Sequence, residues 1–166
     1  MARDKMELSA LIVCRGNICR SPLAEVVLRE KAKALGLTLH VESAGLIAQI
    51  SGKQPDSKAI LVGQQRGYSL QGLHSRTLTL NDIERFHRIY AVDKAVLAEI
   101  LDICPKLSRN KVALYLAHTP LDNKEIADPY QGSLKEFERA LDLIELGADG
   151  IVTDLIHKQT LTVETA

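Results

Sequence analysis

The sequence of 166 residues lacks an excess of charge of either sign, and it lacks a long apolar run. Lysine and arginine total 21, as do aspartate and glutamate, and this balance argues against nucleic acid or an anionic membrane as a general partner. No apolar run approaches the ~18 residues that a membrane-spanning helix needs. The polar residues 1–7 do not predict a signal peptide. We therefore expect no membrane insertion.

Zinc-type cysteine spacing, a nucleotide-binding glycine motif and internal repeats are also absent. Cys14 and Cys19 are close together while Cys104 is remote, so the cysteines do not form a metal-ligand pattern. The motif Gly-x4-Gly-Lys-Ser/Thr does not occur, which excludes a P-loop nucleotide-binding protein. The length suits a single domain over residues 1–166, with a core at about 8–155 and termini that fray.

One stretch near the start of the chain, residues 8–22, predicts a strand, a tight loop and a helix. The apolar residues 8–13 are typical of a buried strand. Gly16 and Asn17 both tolerate a positive φ and predict a tight turn. Ser21 and Pro22 predict the cap and first position of a helix. The loop therefore wraps toward the N-terminus of that helix.

This loop has the composition of a phosphate-binding site with a nucleophile. Backbone N–H groups of residues 15–20 can converge on one anion, and the helix N-terminus adds partial positive charge. Arg20 supplies a planar set of donors for phosphate oxygens. The same field favours a thiolate at Cys14, which could attack phosphorus. A buried cysteine before an ordinary turn is the alternative, but the glycine, asparagine, arginine and helix cap together favour the nucleophile.

Residues 14–22, with the sequence CRGNICRSP, resemble the signature loop of the low-molecular-weight protein tyrosine phosphatases. The resemblance continues through Leu23-Ala24-Glu25 and covers about residues 8–155. It implies a four-stranded parallel sheet of order 2-1-3-4, with helices on both faces and the phosphate-binding loop after strand 1. Residues 43–46 and 68–72 resemble the bacterial branch of the family that is linked to capsule and exopolysaccharide export.

Strands that alternate with helices independently predict a parallel sheet with right-handed crossovers. The strands are predicted at 8–13, 37–41, 88–93 and 111–116, a turn at 43–46, and helices at 22–35, 56–66, 80–85, 94–101 and from 133 to 146 or beyond. Asp93 is predicted to cap the helix that follows it. Residues 157–166 have no strong pattern.

Cleavage of a phosphate ester by a thiolate needs a general acid for the leaving oxygen, and Asp128 is the candidate. It precedes Pro129, which holds it extended so that its carboxyl projects from a loop. Asp128-Pro129-Tyr130 resembles the loop that carries the acid in the family. Tyr130 is expected to form an aromatic wall, and Gln131 stands where relatives often have a second tyrosine.

The resemblance implies a two-step reaction that needs no metal or cofactor. Cys14 attacks phosphorus while Arg20 and the loop amides hold the oxygens, and Asp128 protonates the leaving phenol and later activates water. Ser21 is expected to donate a hydrogen bond to the sulfur, and Asn17 to hold the strained backbone of the loop. The expected substrate-binding residues are Arg15, Gly16, Asn17, Ile18, Cys19, Ser21, Leu46 and Tyr130.

Two loop positions bear on the choice of substrate. Ile18 matches tyrosine-specific members, whereas members that act on phosphoarginine resemble this loop with threonine there. Arg15 stands where relatives mostly place an apolar residue, and we expect it to favour acidic sequence around the phosphotyrosine. The expected partner is therefore a phosphotyrosine protein, and by branch resemblance a bacterial tyrosine autokinase that controls polysaccharide export.

Three residues have two interpretations each. Ser43 either braces Asn17, as the family resemblance implies, or is an ordinary turn serine. His74 lies one position after the usual place of a bracing histidine and is either a brace or a surface residue. Cys19 either forms a reversible disulfide with Cys14, protecting it from oxidation, or is a small buried side chain.

Two other functions compete with a tyrosine phosphatase. An arsenate reductase on the same fold would need further resolving cysteines, and Cys104 is the only candidate. A non-catalytic phosphoprotein-binding module would be plausible had Cys14 or Asp128 been lost, but both are present. A catalytic thiol must stay reduced, so we expect the protein in the cytoplasm.

Overall fold

The computed structural model describes residues 7–47 and 51–165, with side chains through residue 160. Within these residues, four parallel strands form one sheet in the order β2-β1-β3-β4. The elements are β1 (Leu8–Cys14), α1 (Arg20–Ala34), β2 (Leu39–Gly45), α2 (Ser57–Gln65), α3 (Leu80–Arg85), β3 (Arg88–Ala91), α4 (Lys94–Ile103), a 3-10 helix (Lys106–Lys111), β4 (Val112–Leu114) and α5 (Leu134–Thr165).

The strand order confirms the predicted sheet, and the connections place helices on both of its faces. The chain moves from β1 to β2 in one direction and from β3 to β4 in the other. Because crossovers between parallel strands are right-handed, α1 and α4 lie on opposite faces. α1 packs against α5 and β2, whereas α4 packs against β3 and β4.

β1 occupies the middle of the sheet because its side chains are apolar on both faces. Residues 10–13 are completely buried. The register aligns Cys14 with Gly45 of β2 and Val13 with Ala91 of β3. The carboxyl ends of these three strands therefore meet at one edge, where open parallel sheets bind their ligands.

The start of α1 differs from the prediction. The helix begins at Arg20, and its N-cap Cys19 makes no side-chain capping bond. The prediction that Ser21 caps the helix is wrong, because its hydroxyl faces the sulfur of Cys14 at 2.9 Å instead. The positive φ of the loop is at Asn17, with a value of 55°, and Gly16 does not use that conformation.

Three other boundaries differ from the prediction. β2 continues through the predicted turn at 43–46 as far as Gly45, since parallel pairing with β1 satisfies its backbone. β4 is shorter than predicted because the 3-10 helix takes residue 111 and a turn begins at residue 115. α5 continues to Thr165, supported by an ion pair between Asp154 and Lys158 one turn later. The other helices and β3 lie within two residues of the predicted bounds.

Candidate active site

The loop between β1 and α1 folds around the sulfur of Cys14. The backbone N–H of Asn17 points at this sulfur from 3.1 Å. On the outer side of the loop, the backbone N–H of Leu46 donates to the carbonyls of Cys14 and Arg15 at 3.2 and 2.9 Å. The loop is therefore attached to the segment that follows β2 as well as to its own two ends.

Gly45 lets the loop approach β2 closely. A Cβ atom at this position would lie 3.0 Å from the carbonyl oxygen of Arg15 and equally near the backbone nitrogen and Cβ of Asn17. These are mostly backbone atoms, which cannot move aside without distorting the loop. A side chain at position 45 would therefore displace the loop around Cys14.

The side chain of Asn17 is the centre of a buried hydrogen-bond network. Its amide nitrogen donates to the hydroxyls of Ser21 and Ser43 at 2.8 and 3.0 Å, and its oxygen accepts from the backbone N–H of Arg76 at 2.9 Å. These bonds hold a residue whose left-handed backbone is otherwise unfavourable. The interpretation of Ser43 as a brace for Asn17 is confirmed.

His74 does not brace the loop, so that interpretation is wrong. Its side chain is exposed, and Nδ1 lies 3.1 Å from the carbonyl oxygen of Gly72. The bond to Asn17 comes instead from the main chain of Arg76, two positions later. The guanidinium of Arg76 pairs with Asp82 and Glu42, which fixes the segment that carries this N–H group.

Ser21 presents its hydroxyl to the sulfur of Cys14. Its Oγ lies 2.9 Å from Cys14 Sγ and accepts from the amide of Asn17. Because one lone pair is used in accepting, the hydroxyl proton is available to the sulfur. Ser21 is therefore placed to donate a hydrogen bond to the sulfur of Cys14.

Arg20 is buried and oriented by two acceptors. Its Nη1 donates to Asp93 Oδ2 at 2.7 Å and to the carbonyl oxygen of Ile126 at 2.8 Å. Nη2 lies 3.6 Å from Asp128 Oδ2. One edge of the guanidinium is therefore occupied by the protein, and the other faces Asp128 and the pocket.

Asp93 has a role at the site beyond the predicted helix cap. Its Oδ1 accepts from the backbone N–H of Val96 at 2.8 Å, which confirms the cap on α4. Its other oxygen holds Arg20. The sequence contained a signal for this second role, because Asp93 follows β3 and so lies at the same sheet edge as Cys14.

The segment with Asp128 is attached to the same edge. The backbone N–H of Ile126 donates to the carbonyl oxygen of Val92, just after β3, and its own carbonyl accepts from Arg20. Asp128 Oδ1 accepts from the backbone N–H of Tyr130 at 3.1 Å, forming a local turn. Both Asp128 and Tyr130 are half exposed, so each can reach a molecule in the pocket.

A cavity of about 310 Å³ brings most of the predicted site residues together. The side chains of Asn17 and Ser21 are buried in the network beneath it, and Leu46 packs against the hydrophobic core. Ile47 and Lys53 also line the cavity, although neither was among the predicted site residues, because no motif marks either position. The lining residues are Cys14, Arg15, Gly16, Ile18, Cys19, Arg20, Ile47, Lys53, Asp128 and Tyr130.

The edge of this cavity carries an ion pair between Arg15 and Glu99 of α4. Arg15 Nη2 lies 2.8 Å from Glu99 Oε2, and both side chains are about half exposed. Lys53 contributes a second cation to the lining. The entrance is therefore suited to a ligand that carries negative charge beyond its phosphate.

Cys19 lines the same cavity as Cys14 but has a different environment. It is buried, and this burial, with the carboxylates of Asp56 and Asp128, raises the pKa of its thiol far above the usual value, although Arg20 opposes the shift. Cys19 is therefore a neutral thiol at physiological pH. It is not bonded to Cys14, since all three cysteines are free.

Two negative findings apply to the residues that the structure describes. No cluster of three or more His, Cys, Asp or Glu side chains there has an arrangement that could hold a metal ion. In the same residues, no helix combines the length and apolar character needed to cross a membrane.

Comparison with known proteins identifies the family. Residues 9–161 match the family described as low molecular weight phosphotyrosine protein phosphatase. The chain belongs to this family. Low molecular weight phosphotyrosine protein phosphatase 2 of Drosophila melanogaster is 38% identical over 134 residues, which cover 78% of this chain and 80% of the relative.

Solved structures of phosphatases share the whole fold. A low molecular weight phosphotyrosine phosphatase from Vibrio cholerae O395 superposes with a TM-score of 0.87 at 40% identity, covering 91% of this chain and 98% of the other. Vibrio vulnificus Wzb in complex with benzylphosphonate superposes with a TM-score of 0.81 at 30% identity, covering 89% and 99%. As a member of this family, the protein is a protein tyrosine phosphatase.

Proposed function

We propose that the protein hydrolyses phosphotyrosine in proteins through a phosphocysteine intermediate on Cys14. The observation that carries this proposal is the position of the Cys14 sulfur, which has both the N–H of Asn17 and the hydroxyl of Ser21 within 3.1 Å. Arg20 and Asp128 belong to the same cavity. A stabilised thiolate, a cation for the phosphate and a carboxyl group for the leaving oxygen are the three groups that this reaction needs.

In the first step, the Cys14 thiolate attacks phosphorus and the bond from phosphorus to the tyrosine oxygen breaks. Loop amides and the pocket-facing edge of Arg20 hold the three remaining oxygens, since Nη1 is already bound to Asp93 and Ile126. Asp128 transfers its proton to the leaving phenolic oxygen. The products of this step are a tyrosine side chain and phosphocysteine.

In the second step, the Asp128 carboxylate accepts a proton from a water molecule as that water attacks phosphorus. The bond between sulfur and phosphorus breaks, and the electron pair returns to the Cys14 sulfur. Ser21, 2.9 Å from this sulfur, donates a hydrogen bond to the leaving thiolate. Inorganic phosphate is released and the enzyme returns to its starting state.

The lining of the pocket supports an aryl phosphate as substrate. Ile18, Ile47 and Tyr130 supply apolar and aromatic surface for a ring whose phosphate lies against Cys14 and Arg20. The relative from Vibrio vulnificus binds benzylphosphonate, in which a phosphonate is attached to an aromatic ring through one carbon. We propose the same general position for the phosphotyrosine ring in this protein.

We also propose a partner, a compartment and a domain organisation. The resemblance of residues 43–46 and 68–72 to the exopolysaccharide branch, and the similarity to Wzb, support a bacterial tyrosine autokinase of polysaccharide export as the substrate. A reactive thiolate at Cys14 supports a reducing cytoplasm.

The family match over residues 9–161 supports a single phosphatase domain.

The position of Cys104 disfavours an arsenate reductase. Asp93 caps the N-terminus of α4 at the site, and Cys104 caps its other end, roughly 16 Å away by the rise of a helix. Its thiol is buried and contacts the carbonyl of Pro105. It would have to leave the core to reach Cys14. A binding module without activity is disfavoured because Cys14 and Asp128 are both retained beside Arg20.

Phosphate release from para-nitrophenyl phosphate under reducing conditions tests the function. We expect turnover by the wild type and by Cys104→Ser, and none above background by Cys14→Ser. Cys14→Ser should also retain phosphotyrosine proteins from a bacterial lysate, with the autokinase among them. Full turnover by Cys14→Ser would exclude the mechanism. Loss of thioredoxin-coupled arsenate reduction in Cys104→Ser would favour the reductase.

A further inference from the structure

The hydrogen-bond network beneath Cys14 extends into α1 and ends at Glu25. The hydroxyl of Ser43 donates to Glu25 Oε1 at 2.7 Å. Glu25 is buried, and its other oxygen accepts from Nη2 of Arg29 at 2.6 Å, one turn along the helix. Arg29 also donates to the carbonyl of Val41 in β2. A carboxylate that is buried and paired in this way is not explained by the mechanism above.

The chemistry of the donors gives this network a direction. The backbone N–H of Arg76 can only donate, so the group of Asn17 that faces it is the amide oxygen. The amide nitrogen of Asn17 therefore faces Ser21 and Ser43, and both hydroxyls accept from it. Each serine must then donate its own proton to a different acceptor.

Each serine has such an acceptor. For Ser21 the near acceptor is the Cys14 sulfur at 2.9 Å, while the carbonyl of Ala44 lies at 3.5 Å. For Ser43 it is the carboxylate of Glu25. The Glu25 carboxylate has Arg29 on its other oxygen, and a carboxylate has no proton to donate and can only accept.

We propose that Glu25 is a positioning residue of the phosphatase reaction: it ends the network as an acceptor and so keeps Asn17 and Ser21 oriented toward Cys14. This inference rests on the proposed function. Without an acceptor at position 25, the hydroxyl of Ser43 would be a buried donor without a hydrogen-bond acceptor, which costs free energy. Its rotation would weaken the bond from Asn17, and the hydroxyl of Ser21 would lose its fixed orientation toward the sulfur.

Variants at position 25 separate the acceptor from the charge. Glu25→Ala removes both, whereas Glu25→Gln keeps a carbonyl that can accept from Ser43. Glu30→Ala is the matched control, because Glu30 lies on the exposed side of the same helix. Pre-steady-state kinetics with para-nitrophenyl phosphate resolve phosphoenzyme hydrolysis, and alkylation of Cys14 by iodoacetate as a function of pH reports on the thiolate.

We expect Glu25→Ala to slow phosphoenzyme hydrolysis about tenfold, as for the loss of one hydrogen bond, and to move the midpoint of the alkylation profile to higher pH. Glu25→Gln should slow phosphoenzyme hydrolysis less than about threefold, and Glu30→Ala should have the same rate as the wild type. In a Ser43→Ala background, Glu25→Ala should slow phosphoenzyme hydrolysis little further, because the hydrogen bond from Ser43 to Glu25 is already absent.

Three results would overturn the proposal. They are an unchanged alkylation profile in a folded Glu25→Ala, a Glu25→Gln variant as impaired as Glu25→Ala, or losses that add fully in the Ser43→Ala background. If Glu25→Ala does not fold, Glu25→Gln is compared with the wild type and with Ser43→Ala, which removes the donor of the same hydrogen bond. A roughly tenfold slower phosphoenzyme hydrolysis in Glu25→Gln, or an unchanged alkylation profile in Ser43→Ala, would then overturn the proposal. Absence of turnover in the wild type would instead refute the proposed function, since that result does not depend on Glu25.

Discussion

The guanidinium of Arg20 donates a 2.7 Å hydrogen bond to the carboxylate of Asp93, and this pair joins the first residue of α1 to the cap of α4. The arginine has an almost completely buried side chain, so its orientation depends on the acceptors around it. A side chain held along one edge presents the other edge to phosphate without losing much further rotamer freedom. We therefore expect the proposed role of Arg20 in binding phosphate to depend on Asp93.

Asp93→Asn should lower kcat for para-nitrophenyl phosphate by about tenfold or more, since a charge-assisted hydrogen bond to Arg20 is lost. Its melting temperature should change little, because asparagine caps a helix nearly as well as aspartate. Steady-state kinetics and thermal unfolding measure the two effects. Asp102→Asn, at an exposed position near the end of α4, is the control. An equal loss in both variants would show that Asp93 does not orient Arg20.

Asp128→Ala should lower kcat by about a hundredfold or more for phenyl phosphate, because phenolate is a poor leaving group without a proton. The loss should be smaller for para-nitrophenyl phosphate, whose leaving group is far less basic. A series of aryl phosphates of graded leaving-group pKa measures this difference. Asp122→Asn, exposed in the same connection, is the control. The same loss across the series would remove Asp128 from the role of general acid.

Arg15→Leu should lower kcat/KM about two- to fivefold for phosphotyrosine peptides with acidic flanking residues, the range expected for an exposed ion pair. Neutral peptides should be unaffected. Glu99→Gln should have the opposite effect on acidic peptides, since Arg15 then has no competing carboxylate. Peptides matched except for their flanking charge provide the measurement. Identical values for acidic and neutral peptides in all three proteins would refute this specificity.

Asp82 should make the free energy of unfolding depend on acid pH. Its burial disfavours the ionised form, but hydrogen bonds from Arg76 and Thr79 outweigh this and lower the pKa of its carboxyl group. A carboxyl group whose pKa is lower in the folded state than in the unfolded state stabilises the protein at pH values above the unfolded-state pKa. This stabilisation is lost as the pH falls through the folded-state pKa. The wild type should therefore become less stable below about pH 4.

Asp82→Asn should be less stable than the wild type at pH 7, and its stability should change less between pH 7 and pH 3. Urea denaturation at the two pH values measures both quantities. Asp102→Asn again serves as the exposed control. If Asp82→Asn keeps the acid dependence of the wild type, the effect comes from other carboxyl groups, such as Glu42, whose pKa is lowered through His40, Arg76 and Arg85 despite its burial.

The sequence alone predicted the loop around Cys14 and the class of fold. Residues 14–22 are contiguous, so their glycine, asparagine and arginine could be interpreted as one phosphate-binding turn without knowledge of the rest of the chain. Alternation of strands and helices predicted the parallel sheet. Ser21 was assigned correctly to the sulfur but wrongly to the helix cap, since both positions lie in one turn and sequence does not show which bond forms.

Only the tertiary structure decided how the loop is supported. The bond between Arg20 and Asp93 spans 73 positions and that between Asn17 and Arg76 spans 59, so both depend on strand order and register. The second bond comes from a backbone N–H group, which nearly every residue has. No side-chain pattern could therefore have pointed to Arg76 as the residue that holds Asn17. Contacts of this kind form between segments that are distant in the sequence. A local sequence pattern does not show which distant segment a residue will contact.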